Sequence, residues 1–307
     1  MKFTIFQSSD QGPREYNQDR IAYSYSKDAV LAVVADGMGG HRHGEVAAQL
    51  AVKILTEAFQ RMALSILANP AKFLTDHILQ IHDAIENHVI SKALPDSPRT
   101  TLVAALVQND ELYCAHVGDS RLYHIRDGRV IFCTQDHSKV HMLYRKGLIR
   151  KDEMLTHPER NKVYNCLGGD IPPDIEISAK RLVWEGDVLM LCTDGLWALL
   201  DDEEIGQVLN NGAVTETIPM LTSLASSRDD EHGDNMSVIA INWGGLPGMS
   251  QVSTATMPMD LTTTIMGPLT VSGEPGTAKV GDVPDLSDEE IDGAIAEIQA
   301  AIKKTSK

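Results

Sequence analysis

No two of the four cysteines stand at Cys-x-x-Cys spacing, and no stretch stays apolar for the length of a bilayer. The first absence argues against a thiolate metal site or a disulfide framework. Cys114, Cys133, Cys166 and Cys192 are scattered, three of them in apolar or strand-like surroundings of the kind that bury reduced thiols. The second argues against a membrane span, and Met1-Lys2-Phe3-Thr4-Ile5-Phe6 turns polar at Gln7, too early for a secretion signal. Basic residues are also short. With 27 Lys and Arg against 43 Asp and Glu, the formal net charge is −16, which speaks against nucleic acid, because that binding rests on clustered Lys and Arg. The expectation is a soluble, cytoplasmic protein with reduced thiols. Material for a core is ample: 307 residues, 43% of them hydrophobic, can bury about three quarters of the unfolded chain's surface.

The apolar material is interrupted in a repeated way. Leu31-Ala32-Val33-Val34-Ala35 leads straight into Asp36, and Gly37, Gly39 and Gly40 follow, so the acid stands where a buried strand breaks into a turn. Residues 188–192 lead into Thr193-Asp194-Gly195, residues 113–117 lead into Gly118-Asp119-Ser120, and Gly233-Asp234-Asn235 precedes the apolar run 236–241. Any single Asp-Gly is a routine turn. Four aspartates at strand edges, far apart in sequence, point instead to one shared cluster. Ionised together they repel, by about 4 kcal/mol for a pair roughly 4 Å apart at an effective dielectric near 20. Either some are protonated or cations lie between them. Oxygen-only donors, without Cys or His at metal spacing, favour Mg²⁺ or Mn²⁺ over Zn²⁺. Two such ions about 4 Å apart would activate a bridging water and hold phosphoryl oxygens for in-line displacement. Arg14, planar and permanently charged, is the candidate phosphate clamp. His41 and His43 are open between ligand, acid and idle loop residue; His116, in an alternating strand, reads as structural.

Periodicity predicts strands over residues 2–6, 21–25 and 30–35, then two long amphipathic helices. The first carries Val46, Leu50, Ile54 and Ala58; the second carries Phe73, Ile78, Ile81, Ile85 and Val89 behind an Asn69 N-cap and Pro70. Strands follow over 101–107, 111–117, 121–126 and 129–134, the last two joined by Asp127-Gly128, a two-residue hairpin signal. Residues 137–169 are too irregular for sheet and too long for a plain loop, and read as a flap beside the site. Strands at 175–181, 187–193 and 236–242, with helices near 202–209 and 217–226, complete an α+β chain over residues 1–243. Residues 244–285 are rich in Gly, Pro, Ser and Thr, a flexible linker in which Thr262, Thr263 and Thr264 are candidate phosphorylation sites. Residues 286–307 predict an amphipathic helix opened by the capping box Ser287-Asp288-Glu289-Glu290, with a seam of Ile291, Ala294, Ile295, Ile298 and Ile302. Marginal on its own, that helix is either a solvated tail or a docking element for the body or for a partner such as a cognate Ser/Thr kinase.

In order along the chain come Arg14-Glu15-Tyr16-Asn17-Gln18-Asp19, Val34-Ala35-Asp36-Gly37-Met38-Gly39-Gly40-His41, His116-Val117-Gly118-Asp119-Ser120-Arg121, Asp136-His137-Ser138, Cys192-Thr193-Asp194-Gly195-Leu196 and Gly233-Asp234-Asn235. The set resembles the metal-dependent Ser/Thr protein phosphatase family, type 2C, in its bacterial form, over residues 1–243. The resemblance implies a four-layer αββα sandwich of two antiparallel sheets flanked by helices. It also implies a binuclear Mn²⁺ or Mg²⁺ centre that hydrolyses phosphoserine and phosphothreonine on phosphorylated proteins. Position by position, it makes Asp36 the bridging ligand, Asp194 and Asp234 ligands of the first metal, and the Gly37 carbonyl a ligand of the second. Asp19 would act on the second metal through water, and Asp119 with Asp194 would hold a looser third ion. Three positions depart from the family pattern. Met38 stands where animal members carry a histidine, which leaves the leaving-group acid open between His41 and water; Gln18 replaces a frequent glutamate; Arg99 stands where a glycine usually precedes the threonine pair. Two other readings stay open on the sequence: a phosphopeptide-binding scaffold without catalysis, and a phosphatase for small phosphate esters.

Overall fold

A computed structural model describes residues 1–38, 43–63, 66–229 and 233–244, together with the backbone of a strand at 263–266. The chain opens with β1 (Phe3–Asp10), β2 (Arg20–Tyr25), β3 (Ala29–Ala35) and the short β4 (Gly37–Met38). Two long helices, α1 (Gly44–Met62) and α2 (Pro70–Lys92), lead back to β5 (Arg99–Thr100) and β6 (Leu102–Gln108). α2 starts as its sequence predicts: Asn69 Oδ1 accepts from the Lys72 N–H at 3.0 Å, and Pro70 takes the first turn, where its missing N–H is harmless. β7 (Glu111–Val117), β8 (Arg121–Arg126) and β9 (Arg129–Cys133) follow. The last two turn at Asp127 (φ 49°) and Gly128 (φ 72°), the left-handed pair that a tight hairpin requires. Within residues 137–169 the regular pieces are α3 (Lys139–Arg145) and a 3₁₀ turn (Lys151–Glu153). Then come β10 (Glu176–Ile177), β11 (Arg181–Leu182), β12 (Val188–Cys192), α4 (Asp194–Trp197), α5 (Asp202–Leu209), α6 (Val214–Ser226), β13 (Met236–Trp243) and β14 (Thr263–Met266).

One antiparallel sheet runs β1-β13-β12-β8-β9; the other runs β10-β7-β6-β3-β2-β14, with β11 also on β7. Alternation along the strands builds three apolar layers. Leu31, Val33 and Ala35 of β3 face the core shared with α1 and α2, whereas Val30, Ala32 and Val34 face the other sheet. Ile239 and Ile241 of β13 meet them in that middle layer, while Val238 and Ala240 pack against Ile205, Leu209, Ile218 and Leu221 of α5 and α6. The result is helices, sheet, sheet, helices, the αββα sandwich that the motif resemblance implies. Central strands covered on both faces explain why β3 and β6, and β13 over residues 238–241, read as apolar runs. The registers pair Val34 with Val103, Leu102 with Val117, and Cys192 with Val238, which brings the ends of β3, β7 and β12 and the start of β13 to one rim of the stack.

β14 pairs along β2, Thr263 opposite Tyr25 and Met266 opposite Ala22. A strand thus lies within residues 244–285, where composition alone suggests a linker; apart from Gly244, the rest of that stretch and the helix expected at 286–307 lie outside the described residues. Among the described residues no helix is long and apolar enough to cross a membrane.

Candidate metal centre

Asp36 follows the last residue of β3, and the threonine pair beside it clamps its main chain. The Thr101 N–H and the Thr100 hydroxyl both donate to the Asp36 carbonyl at 2.9 Å, and the Asp36 N–H donates to Thr101 Oγ1 at 3.2 Å. Thr101 Oγ1 also pairs with Ser120 Oγ at 2.7 Å, which ties the Asp36 turn to the residue after Asp119. Just beyond, Gly37 runs so close to Gly44 that a Cβ on either would collide with the other's backbone. Gly118 (φ 103°) is confined by the same threonine: a Cβ there would fall 2.6 Å from Thr101 Cβ.

Asp194 opens α4 directly after β12 and Thr193. The Thr193 hydroxyl donates to Asp19 Oδ2 at 3.0 Å and accepts the Ser237 N–H at 3.0 Å, so Asp19 hangs from the β12–β13 pair. Buried Asn235 braces the loop that carries Arg14 and Asp19. Its Nδ2 donates to the Gln11 and Tyr16 carbonyls at 2.8 and 3.2 Å, and its Oδ1 accepts the Gln18 N–H at 2.8 Å. Arg14 itself donates from Nε to the Gly233 carbonyl and from Nη2 to Asp234 Oδ2, each at 2.8 Å. Its side chain is 50% exposed and that of Asp234 41%, so the pair faces the opening of the site. Asp119 is held from the other side. Trp197 Nε1 donates to the Asp119 carbonyl at 3.0 Å, the Arg121 guanidinium lies 3.5 Å over the Trp197 ring, and Asp136 accepts two bonds from Arg121 at 2.8 and 2.7 Å.

The five acids meet, and their electrostatics show it. Burial, followed by the charges of Asp19, Asp194, Asp119 and Asp234, pushes the Asp36 carboxyl well above the usual carboxylate range. Burial, Asp194 and Asp136 do the same to Asp119, against the pull of Arg121. Asp19 is pushed up to about 7 by burial, then relieved in part by hydrogen bonds from Ser237 and Thr193, with Asp194 and Asp234 adding to the rise. Asp194 is pushed up to about 7 by burial and by Asp234. Asp19 Oδ1 and Asp194 Oδ1 are buried without a hydrogen-bond partner, an expensive position for a carboxylate oxygen. Repelling acids, orphaned oxygens and an oxygen-only donor set describe a place short of positive charge, and hard divalent cations fit it. His43 is not part of this set: its Nδ1 lies 3.8 Å from Glu45 Oε1 at the start of α1. His41 lies outside the described residues.

A cleft of about 580 Å³ opens over the acids. Arg14, Asp119, Asp194 and Asp234 line it together with Trp197, and Met154, Thr156, Arg160 and Asn161 form a wall from the stretch read as a flap. The family model for protein phosphatase 2C matches residues 9–236. The chain belongs to this family. It is a metal-dependent protein serine/threonine phosphatase, and the family depends on Mn²⁺ or Mg²⁺. Over 232 residues the phosphatase is 31% identical to the serine/threonine phosphatase stp of Listeria welshimeri, a match spanning 74% of this chain and 90% of the relative. Its fold matches Stp1 of Staphylococcus aureus with a TM-score of 0.71 at 29% identity, over 80% of this chain and 96% of that one. It matches the catalytic domain of PstP in complex with two manganese ions with a TM-score of 0.63 at 29% identity, over 78% and 97% of the respective chains.

The acids and Arg14 are legible in the sequence; the residues that hold them are not. Thr101, Thr193, Asn235 and Trp197 all fix a site residue through a hydrogen bond; for the last three the visible signal is adjacency to an aspartate motif, and for Thr101 it is the threonine pair of the family pattern.

Proposed function

We propose that the phosphatase hydrolyses phosphoserine and phosphothreonine in proteins at a binuclear Mn²⁺ or Mg²⁺ centre. The observation that carries this reading is the convergence of five carboxylates, two with orphaned buried oxygens, three of which (Asp119, Asp194 and Asp234) line one cleft. Asp36, Asp194, Asp234 and the Gly37 carbonyl would hold the two cations, Asp36 shared between them, Asp194 and Asp234 on the first and Gly37 on the second. Asp19 would act on the second through water, and Asp119 with Asp194 would hold a looser third ion. Bound there, the cations supply a nucleophilic water at neutral pH and positive charge for the phosphoryl oxygens. The chain's own residues do the rest. Arg14, set at the opening by Gly233 and Asp234, offers its planar fork to the phosphate. Met154, Thr156, Arg160 and Asn161 cover the cleft from one side and meet the groups flanking the phosphorylated residue, where substrate choice is made. Purified protein should hydrolyse an aryl phosphate with Mn²⁺, lose that activity in chelator and regain it on adding Mn²⁺ back. Full activity in chelator overturns the reading. A phosphopeptide turned over no better than free phosphoserine points to small esters instead.

Residues 245–307 serve as a tethered docking element for a partner, a cognate Ser/Thr kinase or its substrate, in the cytoplasm. Pairing of β14 with β2 supports the tether: Met266 lies opposite Ala22, so β14 ends near the start of β2, which follows Asp19. The reduced thiols of Cys114, Cys133, Cys166 and Cys192 suit that compartment. Truncation after Gly244 should leave aryl phosphate hydrolysis unchanged and lower capture of the kinase. A truncated protein that fails to fold would place the segment in the core, and one with every interaction intact would remove the docking role.

A further inference from the structure

Outside the carboxylate cluster, His116, His137 and Glu176 bring three metal-capable side chains together, one ligand atom from each lying within 4.8 Å of the others. Hydrogen bonding decides against a cation there. Asp174 fixes both ends of the Asn165 amide, its N–H donating to Asn165 Oδ1 at 3.0 Å and its carbonyl accepting from Nδ2 at 2.7 Å. Held that way round, Asn165 Nδ2 also donates to His137 Nδ1 at 2.7 Å, and the Gly118 N–H approaches the same nitrogen at 3.2 Å. A ring nitrogen that accepts N–H groups carries no proton. The proton of the neutral imidazole is therefore on Nε2, 3.4 Å from Glu176 Oε2, and the lone pair that a metal needs at Nε2 is absent. Burial, and then His116, hold the His137 imidazole below the usual histidine range, which keeps the ring neutral.

The same bonds give His137 another task. Its N–H donates to the Gly118 carbonyl at 2.9 Å, and its own carbonyl accepts the Tyr164 N–H at 3.0 Å. Ring and backbone thus both grip Gly118, the residue before Asp119, and both grip residues 164–165, where the chain returns from the flap. His137 stands where the chain enters the flap, so one side chain joins the two roots of the flap to the turn that carries Asp119. We propose that His137 is a positioning residue that couples the flap to the Asp119 turn through Nδ1 as a hydrogen-bond acceptor. The proposal rests on the reading of Asp119 as a ligand of a looser ion and of residues 137–169 as the cleft wall.

Two substitutions separate the roles of the two ring nitrogens. His137→Asn places a carbonyl oxygen about where Nδ1 sits and so keeps the acceptor, whereas His137→Gln moves its polar atoms out to the Nε2 position. With phosphopeptide as substrate, His137→Gln should raise both KM and the Mn²⁺ concentration for half-maximal turnover about fivefold or more, and His137→Asn should stay within about twofold of wild type. Amide exchange read by NMR should be faster at Gly118 in His137→Gln and protected in His137→Asn. Asn165→Ala, at the outer side of the contact, should reproduce part of the His137→Gln effect and add little to it in the double variant. Equal behaviour of the Asn and Gln variants, in exchange and in kinetics, overturns the proposal. So does stoichiometric Zn²⁺ binding to Mn²⁺-loaded wild type that both variants lose. If wild type turns over no phosphopeptide, the functional reading has failed, and the exchange at Gly118 still decides whether the coupling exists.

Discussion

β12 has an aspartate beyond each of its ends, and the two are treated in opposite ways. Asp187, just before Val188, has a side chain only 1% exposed, yet every approach to it is filled. Arg126 donates two bonds of 2.7 Å, His124 Nε2 one of 2.8 Å and the Trp184 N–H one of 2.7 Å. Burial works against its charge and these bonds outweigh burial, so the carboxyl lies below the usual range. Asp194, at the other end, keeps one oxygen without a partner and has a carboxyl pushed up to about 7. The contrast separates an acid satisfied within the chain from one left short of positive charge. A carboxylate already satisfied by an arginine of its own chain stabilises the sheet, and one left short of positive charge is set to receive it from outside.

The largest effect should come from destroying the unsatisfied end. Asp36→Ala or Asp194→Ala should cut kcat by about 10³-fold or more, roughly 4 kcal/mol of barrier at about 1.4 kcal/mol per factor of ten. The metal-free melting temperature should not fall, because a buried acid repelled by its neighbours has been removed. Near-wild-type activity in either variant would take these acids out of the ligand set. The satisfied end should behave the other way. Asp187→Ala should lower stability by about 2–3 kcal/mol in urea titration, toward the low side for breaking a buried pair since Arg126 reaches water, while activity per folded molecule is retained.

Acidity sharpens the contrast further. Without metal, the raised carboxyls of Asp19 and Asp194 contribute stability that is complete below the ordinary carboxylate value of about 4 and is lost as pH rises through about 7. The depressed Asp187 contributes above that ordinary value and fades only as pH falls through its lower one, so it adds no slope near neutrality. Chelated protein should therefore melt lower at about pH 8 than at about pH 5, and Mn²⁺ should raise the melting temperature more at the higher pH. Equal Mn²⁺ shifts at both would mean that the acids ionise without help. The smallest effect belongs to Arg14, which is half exposed and already partnered. Arg14→Ala should raise KM for a phosphopeptide about three- to tenfold, on the order of 1 kcal/mol, and lower kcat less. An unchanged KM would remove it from the phosphate site.

Much of this architecture is legible in the amino-acid sequence. Apolar runs mark β3, β6, β12 and the middle of β13, Asn69-Pro70 marks the start of α2, and Asp127-Gly128 marks the hairpin, because each signal is local. The acids are legible because an aspartate directly after a buried strand has few other reasons to be there. Their supports are not, since a threonine that clamps Asp36 or an asparagine that braces the Arg14 loop looks like any turn residue until distant segments meet. His137 belongs with these: it stands in the Asp136-His137-Ser138 motif, but its tie to Asn165 and Gly118 is a matter of tertiary placement. β14 escapes for a different reason. Its four residues lie in a Thr-, Gly- and Pro-rich stretch and draw their hydrogen bonds from an existing edge, so no alternation of their own announces them.

Trp197 lies with its indole N–H on the Asp119 carbonyl and its ring beneath the Arg121 guanidinium. The other two tryptophans are placed elsewhere: Trp184 meets Arg126 beside Asp187, and Trp243 stacks on Phe3 at the end of β13. Indole emission follows the electric field along the ring, and Trp197 is the ring hydrogen-bonded to Asp119, so a cation reaching Asp119 would change the field that this ring feels. Trp197 would then serve as an optical gauge of metal binding. Its intrinsic fluorescence should titrate with Mn²⁺ in the absence of any substrate, and Trp197→Phe should silence that signal.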